Sequence, residues 1–123
     1  MNSVSMHGII TSDAEKILIK TNTGETPLII FTLCDLGLPY QKKEPLSIEV
    51  HFLKEAANHI FDYLKKDKEV IVSGFLKQRV YQTAAGETRS KLYISADFVT
   101  LVPLFKWGFY EYDYKIKIIN GRN

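Results

Sequence analysis

The feature that most constrains this chain is a pair of long alternating stretches, from about Glu69 to Thr83 and from about Thr88 to Val102, joined by Ala84-Ala85-Gly86-Glu87. A short glycine-containing link between two such runs is a hairpin signal. Both runs exceed the roughly five or six residues of an ordinary strand. Strands this long are either bent into a small barrel or form a ribbon whose tip projects beyond the body. Gly74 falls inside the first run, where glycine marks a sharp bend or the close approach of another backbone. A chain built around such a pair is expected to be mainly β.

The rest of the sequence agrees. Val4 to Thr11 is β-rich and ends at the turn signal Ser12-Asp13, and Ile17-Leu18-Ile19 follows, closed by Asn22-Thr23-Gly24. Leu28 to Cys34 is nearly continuous apolar sequence, which predicts a strand covered on both faces. Leu36 to Pro45 reads as a lysine-containing loop. Leu46, Ile48, Val50 and Phe52 then alternate with Ser47, Glu49 and His51, the period of a half-buried strand. From Leu53 the period changes. Leu53, Ala56, Ala57, Ile60, Phe61 and Leu64 recur at helical spacing opposite Lys54, Glu55, Asn58 and Asp62, predicting one amphipathic helix of about three turns. The expected class is all-β with one helix.

At 123 residues the chain supports one compact domain, and no apolar run approaches the ~20 residues of a membrane span. No basic region leads into an apolar segment near Met1, so no secretory signal is read. The single cysteine, Cys34, has no internal disulfide partner, which suits a reducing cytoplasm, and its apolar surroundings predict an inert buried thiol. Net charge is +2, from 16 Lys+Arg and 14 Asp+Glu, but it is unevenly spread. Residues 1–62 carry five lysines against eight carboxylates, net −3, and residues 63–123 carry eleven cations against six carboxylates, net +5. A basic half points to an anionic partner such as nucleic acid; a solvated face is the ordinary alternative. Enzyme signatures are lacking. Ser73-Gly74 has no nucleophile-elbow spacing, Gly24 lies in no phosphate loop, and His7, His51 and His59 lack metal-ligand spacing, so no catalyst, cofactor or metal is expected.

The hairpin carries the chemistry. Alternation puts Phe75, Lys77, Arg79 and Tyr81 on one face of its first strand, away from Leu76 and Val80. On the returning strand Arg89, Lys91 and Tyr93 share a face opposite Ser90, Leu92 and Ile94. If register brings the two sets together, seven basic or aromatic side chains form one patch. Four cations against Glu87 give the hairpin +3. Such a surface suits single-stranded nucleic acid, because cations neutralise phosphates while unpaired bases stack on rings. The plain alternative is an exposed ribbon with ordinary Tyr–Arg contacts.

The stretch Asp62-Tyr63-Leu64-Lys65-Lys66-Asp67-Lys68-Glu69-Val70-Ile71-Val72-Ser73-Gly74-Phe75-Leu76-Lys77-Gln78-Arg79-Val80-Tyr81 resembles the second half of bacterial single-stranded DNA-binding proteins (SSB). There, Tyr-Leu-Lys/Arg-Lys leads into a Val-x-Val-x-Gly-x-Leu strand, then a basic residue and an aromatic. Gly86 falls at the family's hairpin turn, Tyr93 to Val102 resembles its final strand, Val4 to Ile10 its first, and Phe31-Thr32-Leu33 its second. The likeness runs from about Asn2 to Pro103. It implies an OB-fold over residues 1–103, a five-stranded Greek-key barrel with a helix between its third and fourth strands. It also implies single-stranded DNA as partner and a homotetramer, with a homodimer of the primosomal PriB type as the alternative, against which a clear helix speaks. Tyr81 matches a stacking aromatic and Arg79 the basic residue before it. Tyr40 stands for a loop aromatic, with Lys42 and Lys43 tracking phosphates, and Phe75 and Tyr93 join the stacking set. Where the family has third-strand aromatics this chain offers Ser47 and Glu49, with Phe52 or Leu53 at the strand end; Phe52 fits a core position equally well.

Residues 104–123 depart from the family, which continues into a flexible linker and an acidic tip, so recruitment of repair proteins through such a tip is not expected. Here Tyr110, Tyr112, Tyr114, Ile116 and Ile118 alternate with Glu111, Asp113, Lys115 and Lys117. This predicts an extra strand whose apolar face supports self-association. Trp107 and Phe109 are further stacking candidates. An OB-fold assembly module without DNA binding is the rival from a different class.

Overall fold

The computed structural model describes residues 1–35 and 45–103. Tyr40, Lys42 and Lys43, and the whole of 104–123 with Trp107, Phe109, Tyr110, Tyr112 and Tyr114, lie outside the described residues. In chain order the elements are β1 (Val4–Ile10), β2 (Glu15–Thr21), β3 (Gly24–Asp35), β4 (Leu46–Leu53), α1 (Ala57–Ile60) with a 3-10 turn at Phe61–Tyr63, β5 (Glu69–Gln82) and β6 (Thr88–Leu101).

Five of the strands close a ring. β1 pairs antiparallel with β5, β5 with β6, and β3 with β4, while β6 runs parallel to β4. The ring is completed where β3 returns to β1 through Ile9↔Cys34 and Ile10↔Leu33. β2 stands outside this ring, paired with the first half of β3 from Thr21↔Gly24 to Glu15↔Ile30. Counting the ring strands along the chain as β1, β3, β4, β5 and β6, the helical segment lies between the third and fourth, which is the expected OB-fold order. The core follows the alternation of the strands: Ile10, Ile29, Phe31, Leu33, Val50, Phe52, Val70, Val72 and Ile94 point inward. Phe52 is therefore core. Leu28 and Ile30 are half-buried, so β3 has one core face, not the two covered faces its apolar run predicts.

The helix is much shorter than its apolar spacing predicts. Ala57 and Leu64 are fully buried and Ile60 and Phe61 partly so, but Leu53 and Ala56 are exposed. The backbone N–H groups of Ala57, Asn58 and His59 bond three residues back, to Lys54, Glu55 and Ala56, at 3.0, 3.2 and 3.1 Å. Ala56 at the N-cap carries no side-chain acceptor for the free N–H groups of the first turn, which withholds the usual stabilisation of a helix start. Tertiary packing decides the rest. Leu64 is fully buried, and its carbonyl accepts from Ala14 N at 2.9 Å, tying the link between β1 and β2 to the helical segment. Full burial of a leucine contributes about 1.5–3 kcal/mol, more than another turn of exposed helix would.

β5 and β6 serve two purposes. Their ends near Glu69 and Leu101 are barrel strands; beyond Leu76 the ribbon is exposed on both faces and projects. The change comes just after a bulge, where Ser73↔Phe98 is followed by Gly74↔Ala96 and Asp97 is skipped. Such an extra residue bends its strand. Gly74 is required by close approach: a Cβ there would lie 2.1 Å from the Ser95 carbonyl oxygen and 2.8 Å from Ala96 Cα. At the same level Asn2 grips Leu76 through both backbone groups, at 2.7 and 2.9 Å. The ribbon ends in a turn where Gly86 takes a positive φ of 85° and Gly86 N donates to the Thr83 carbonyl at 2.9 Å. Gly74→Ala is expected to cost about 1–3 kcal/mol through forced backbone separation, and urea unfolding of the variant checks this; unchanged stability would contradict the close approach.

Candidate nucleic-acid interface

The register of the ribbon brings the two predicted sets together. Lys77 lies across from Tyr93, Arg79 from Lys91, Tyr81 from Arg89, and Phe75 from Ser95. Directly opposed residues share a face, so Phe75, Lys77, Arg79, Tyr81, Arg89, Lys91 and Tyr93 form one surface. Phe75 and Tyr81 are both 43% exposed. The Arg79 guanidinium sits 5.8 Å from the Tyr81 ring centroid, a cation–π contact on a ring that stays exposed.

The surface continues onto the barrel. β4 is in parallel register with β6, Glu49↔Tyr93 and His51↔Ser95, and β3 adds Thr32 and Ile30 beside Glu49 and His51. His51 stacks on Tyr93 with ring centroids 4.2 Å apart and planes at 25°. The two rings make a platform spanning β4 and β6. In the sequence His51 is one of the residues that alternate with the apolar side chains of a half-buried strand, without metal-ligand spacing. Its place in the Ser47-Glu49-His51 alternation put it on the outer side, but nothing local indicated that β6 would deliver Tyr93 to it. Cys34 lies on the same outer side of β3 and is half-buried, less covered than its apolar neighbours predict.

Glu49 is the second residue missed. Its side chain is 19% exposed; Oε1 accepts from His51 Nε2 at 2.7 Å and Oε2 from Lys91 Nζ at 3.3 Å. The hydrogen bond from His51 and the nearby Lys91 ammonium hold its carboxyl below the ordinary carboxylate value, outweighing the opposing effect of burial. Arg89 is likewise paired, with Glu87 at 2.8 Å. Two of the four ribbon cations thus already have carboxylate partners, while among the described residues Lys77 and Arg79 have none. A depressed carboxyl adds stability that is full above its unfolded value of 4.5 and is lost as pH falls through the lower folded value. The stability advantage of the unaltered chain over Glu49→Gln should therefore shrink below pH 4.5. Thermal unfolding of both forms at neutral and acidic pH measures it, and a gap that stays constant or widens on acidification would count against the assignment.

The likeness of this chain to known proteins bears on its family and fold. Residues 1–102 match the model of the Single-strand binding protein family. A Single-stranded DNA-binding protein of Corynebacterium glutamicum is 40% identical over 60 residues, 49% of this chain and 27% of the relative. That of Mycobacterium leprae is 26% identical over 102 residues, 77% of this chain and 59% of the relative. The chain thus spans between about a quarter and three fifths of the length of these curated relatives. Among solved structures, the Plasmodium falciparum SSB in complex with ssDNA superposes with a TM-score of 0.67 at 15% identity, covering 84% of this chain and 96% of that one; at that identity the match speaks for the fold. With the family model spanning the whole closed barrel and its ribbon, the chain belongs to the single-strand binding protein family.

Proposed function

We propose that this chain binds single-stranded DNA with little sequence preference, coating it stoichiometrically in replication, recombination or repair in the cytoplasm and catalysing no reaction. The observation that carries the reading is the β5–β6 register, which unites Lys77, Arg79, Tyr81, Arg89, Lys91 and Tyr93 on one face continuous with His51. Ammonium and guanidinium groups neutralise phosphates; open rings stack unpaired bases, which a duplex does not offer. Lys77, Arg79 and Tyr81 are the first contacts, being exposed and without carboxylate partners among the described residues. Phe75 and Tyr93 line the path toward the barrel, and Tyr40, Lys42 and Lys43 are assigned to the same strand of DNA by resemblance. Residues 1–103 are the binding domain and 104–123 an extension.

Self-association belongs to this reading. Along Val4–Gly8 β1 is paired on one side only, with β5, among the described residues, and an open edge accepts another strand. Tyr110, Tyr112 and Tyr114 are assigned to an assembly surface. A tetramer is proposed over a primosomal-type dimer, although a helix of a single turn no longer separates the two. The assembly module without DNA binding draws its support from Glu49, a carboxylate at the centre of the candidate face.

Anisotropy of labelled oligo-dT of increasing length, at two salt concentrations, tests the main reading; no binding at low salt would remove it. Tyr81→Ala is expected to weaken binding by ~1–3 kcal/mol without unfolding the chain. Lys77→Ala should lower the slope of log K against log salt by about 0.7, one phosphate contact on a single strand. Sedimentation of the chain truncated after Pro103 tests the assembly role, and an unchanged oligomeric state would remove it.

A further inference from the structure

Glu49 is out of place on a surface meant for phosphates. It stands in the row Thr32–Glu49–Tyr93–Lys77, between the barrel and the basic ribbon. A solvated surface carboxylate would be indifferent, but this side chain is largely covered and takes hydrogen bonds on both oxygens. One partner, His51, is fixed against the Tyr93 ring. The other, Lys91, lies directly across from Arg79. Two like charges opposed on one face repel, and an anion between β4 and β6 relieves that repulsion. A phosphate placed there would do the same. Glu49 and a DNA phosphate therefore compete for one cation.

We propose that Glu49 is an internal competitor of the DNA backbone: it occupies Lys91 in the free protein, and binding of single-stranded DNA exchanges that carboxylate for a phosphate. This inference rests on the single-stranded DNA reading above. It makes Lys91 a conditional contact, unlike Lys77, and makes Glu49 an affinity-setting residue of the site. The exchange leaves Glu49 with His51 as its remaining partner, so the His51–Tyr93 platform stays in place while Lys91 moves. Each turnover of the site then needs no rearrangement beyond one lysine side chain, which keeps DNA readily released.

The test is a set of oligo-dT titrations by anisotropy with the unaltered chain, Glu49→Gln, Lys91→Gln and the double variant, across a salt series. Glu49→Gln is expected to bind about two- to tenfold tighter at low salt, because Lys91 then reaches the phosphate without first leaving a carboxylate. In the Lys91→Gln background the same change should produce little gain, the signature of coupled residues. A Glu49→Gln variant that binds no tighter, or whose gain is undiminished without Lys91, overturns the proposal. A second comparison needs no change at Glu49: Lys91→Gln should cost less affinity at low salt than Lys77→Gln, and an equal or larger cost overturns the proposal as well. Loss of binding by every form, the unaltered chain included, removes the single-stranded DNA reading itself. Binding by the unaltered chain that Glu49→Gln leaves unchanged removes this inference alone.

Discussion

A short parallel pairing holds this molecule in its working shape. Glu49↔Tyr93, Val50↔Ile94 and His51↔Ser95 join β4 to β6 and so shut the barrel. The middle pair, Val50 and Ile94, is fully buried; the flanking pairs are half-buried on the outer side and belong to the candidate face. Barrel closure and site assembly are thus one event. Pairs between strands so far apart in sequence carry a loop-closure cost, which is met by burying the apolar residues around them.

The bulge at Ser73/Gly74 is the complement of that closure. A ring of only five strands needs sharp curvature, and a ribbon that leaves the ring needs its strands released from the curve at one level. The skipped Asp97 and the close approach of Gly74 to Ser95 supply both. Beyond the pair Leu76↔Ile94, side chains on both faces are free of the core, so the ribbon can carry charge at no expense to packing. The proximal half keeps Val70, Val72, Ile94 and Ala96 inside.

Charge on the resulting face is balanced more closely than the hairpin alone suggests. Counting the ribbon by itself gives a strongly basic element, yet Lys91 has Glu49 and Arg89 has Glu87. The Arg89–Glu87 pair, well exposed on both sides, contributes little to stability and is screened by salt, whereas the Glu49 carboxylate is largely covered. In the proposed exchange, the carboxylate held beside Lys91 is what an incoming phosphate would displace. Among the described residues Lys77 and Arg79 have no carboxylate partner; Arg79 lies level with the paired Lys91, Tyr81 level with the paired Arg89, and Lys77 is the cation nearest the barrel.

Much of this was legible in the residues themselves. Alternation along Glu69–Thr83 and Thr88–Val102 specified the hairpin and which side chains share its face, because a strand's period is independent of what packs on it. The turn signals located the links, and Gly74 announced a close approach. The helix was misjudged: the apolar spacing from Leu53 to Leu64 is real, but the barrel needed only Ala57 and Leu64 fully buried, and a single α turn with a 3-10 turn delivers them. Site residues divided the same way. Lys77, Arg79, Tyr81, Arg89, Lys91 and Tyr93 could be grouped from local pattern, whereas His51 and Glu49 could not, since they join the face only through a parallel register between strands some forty residues apart. The sequence by itself determined the ribbon and its basic-aromatic face, because both follow from local alternation. Tertiary structure alone decided that a histidine would stack on Tyr93 and a carboxylate would hold Lys91, because closure of the barrel is a long-range event that no local period encodes.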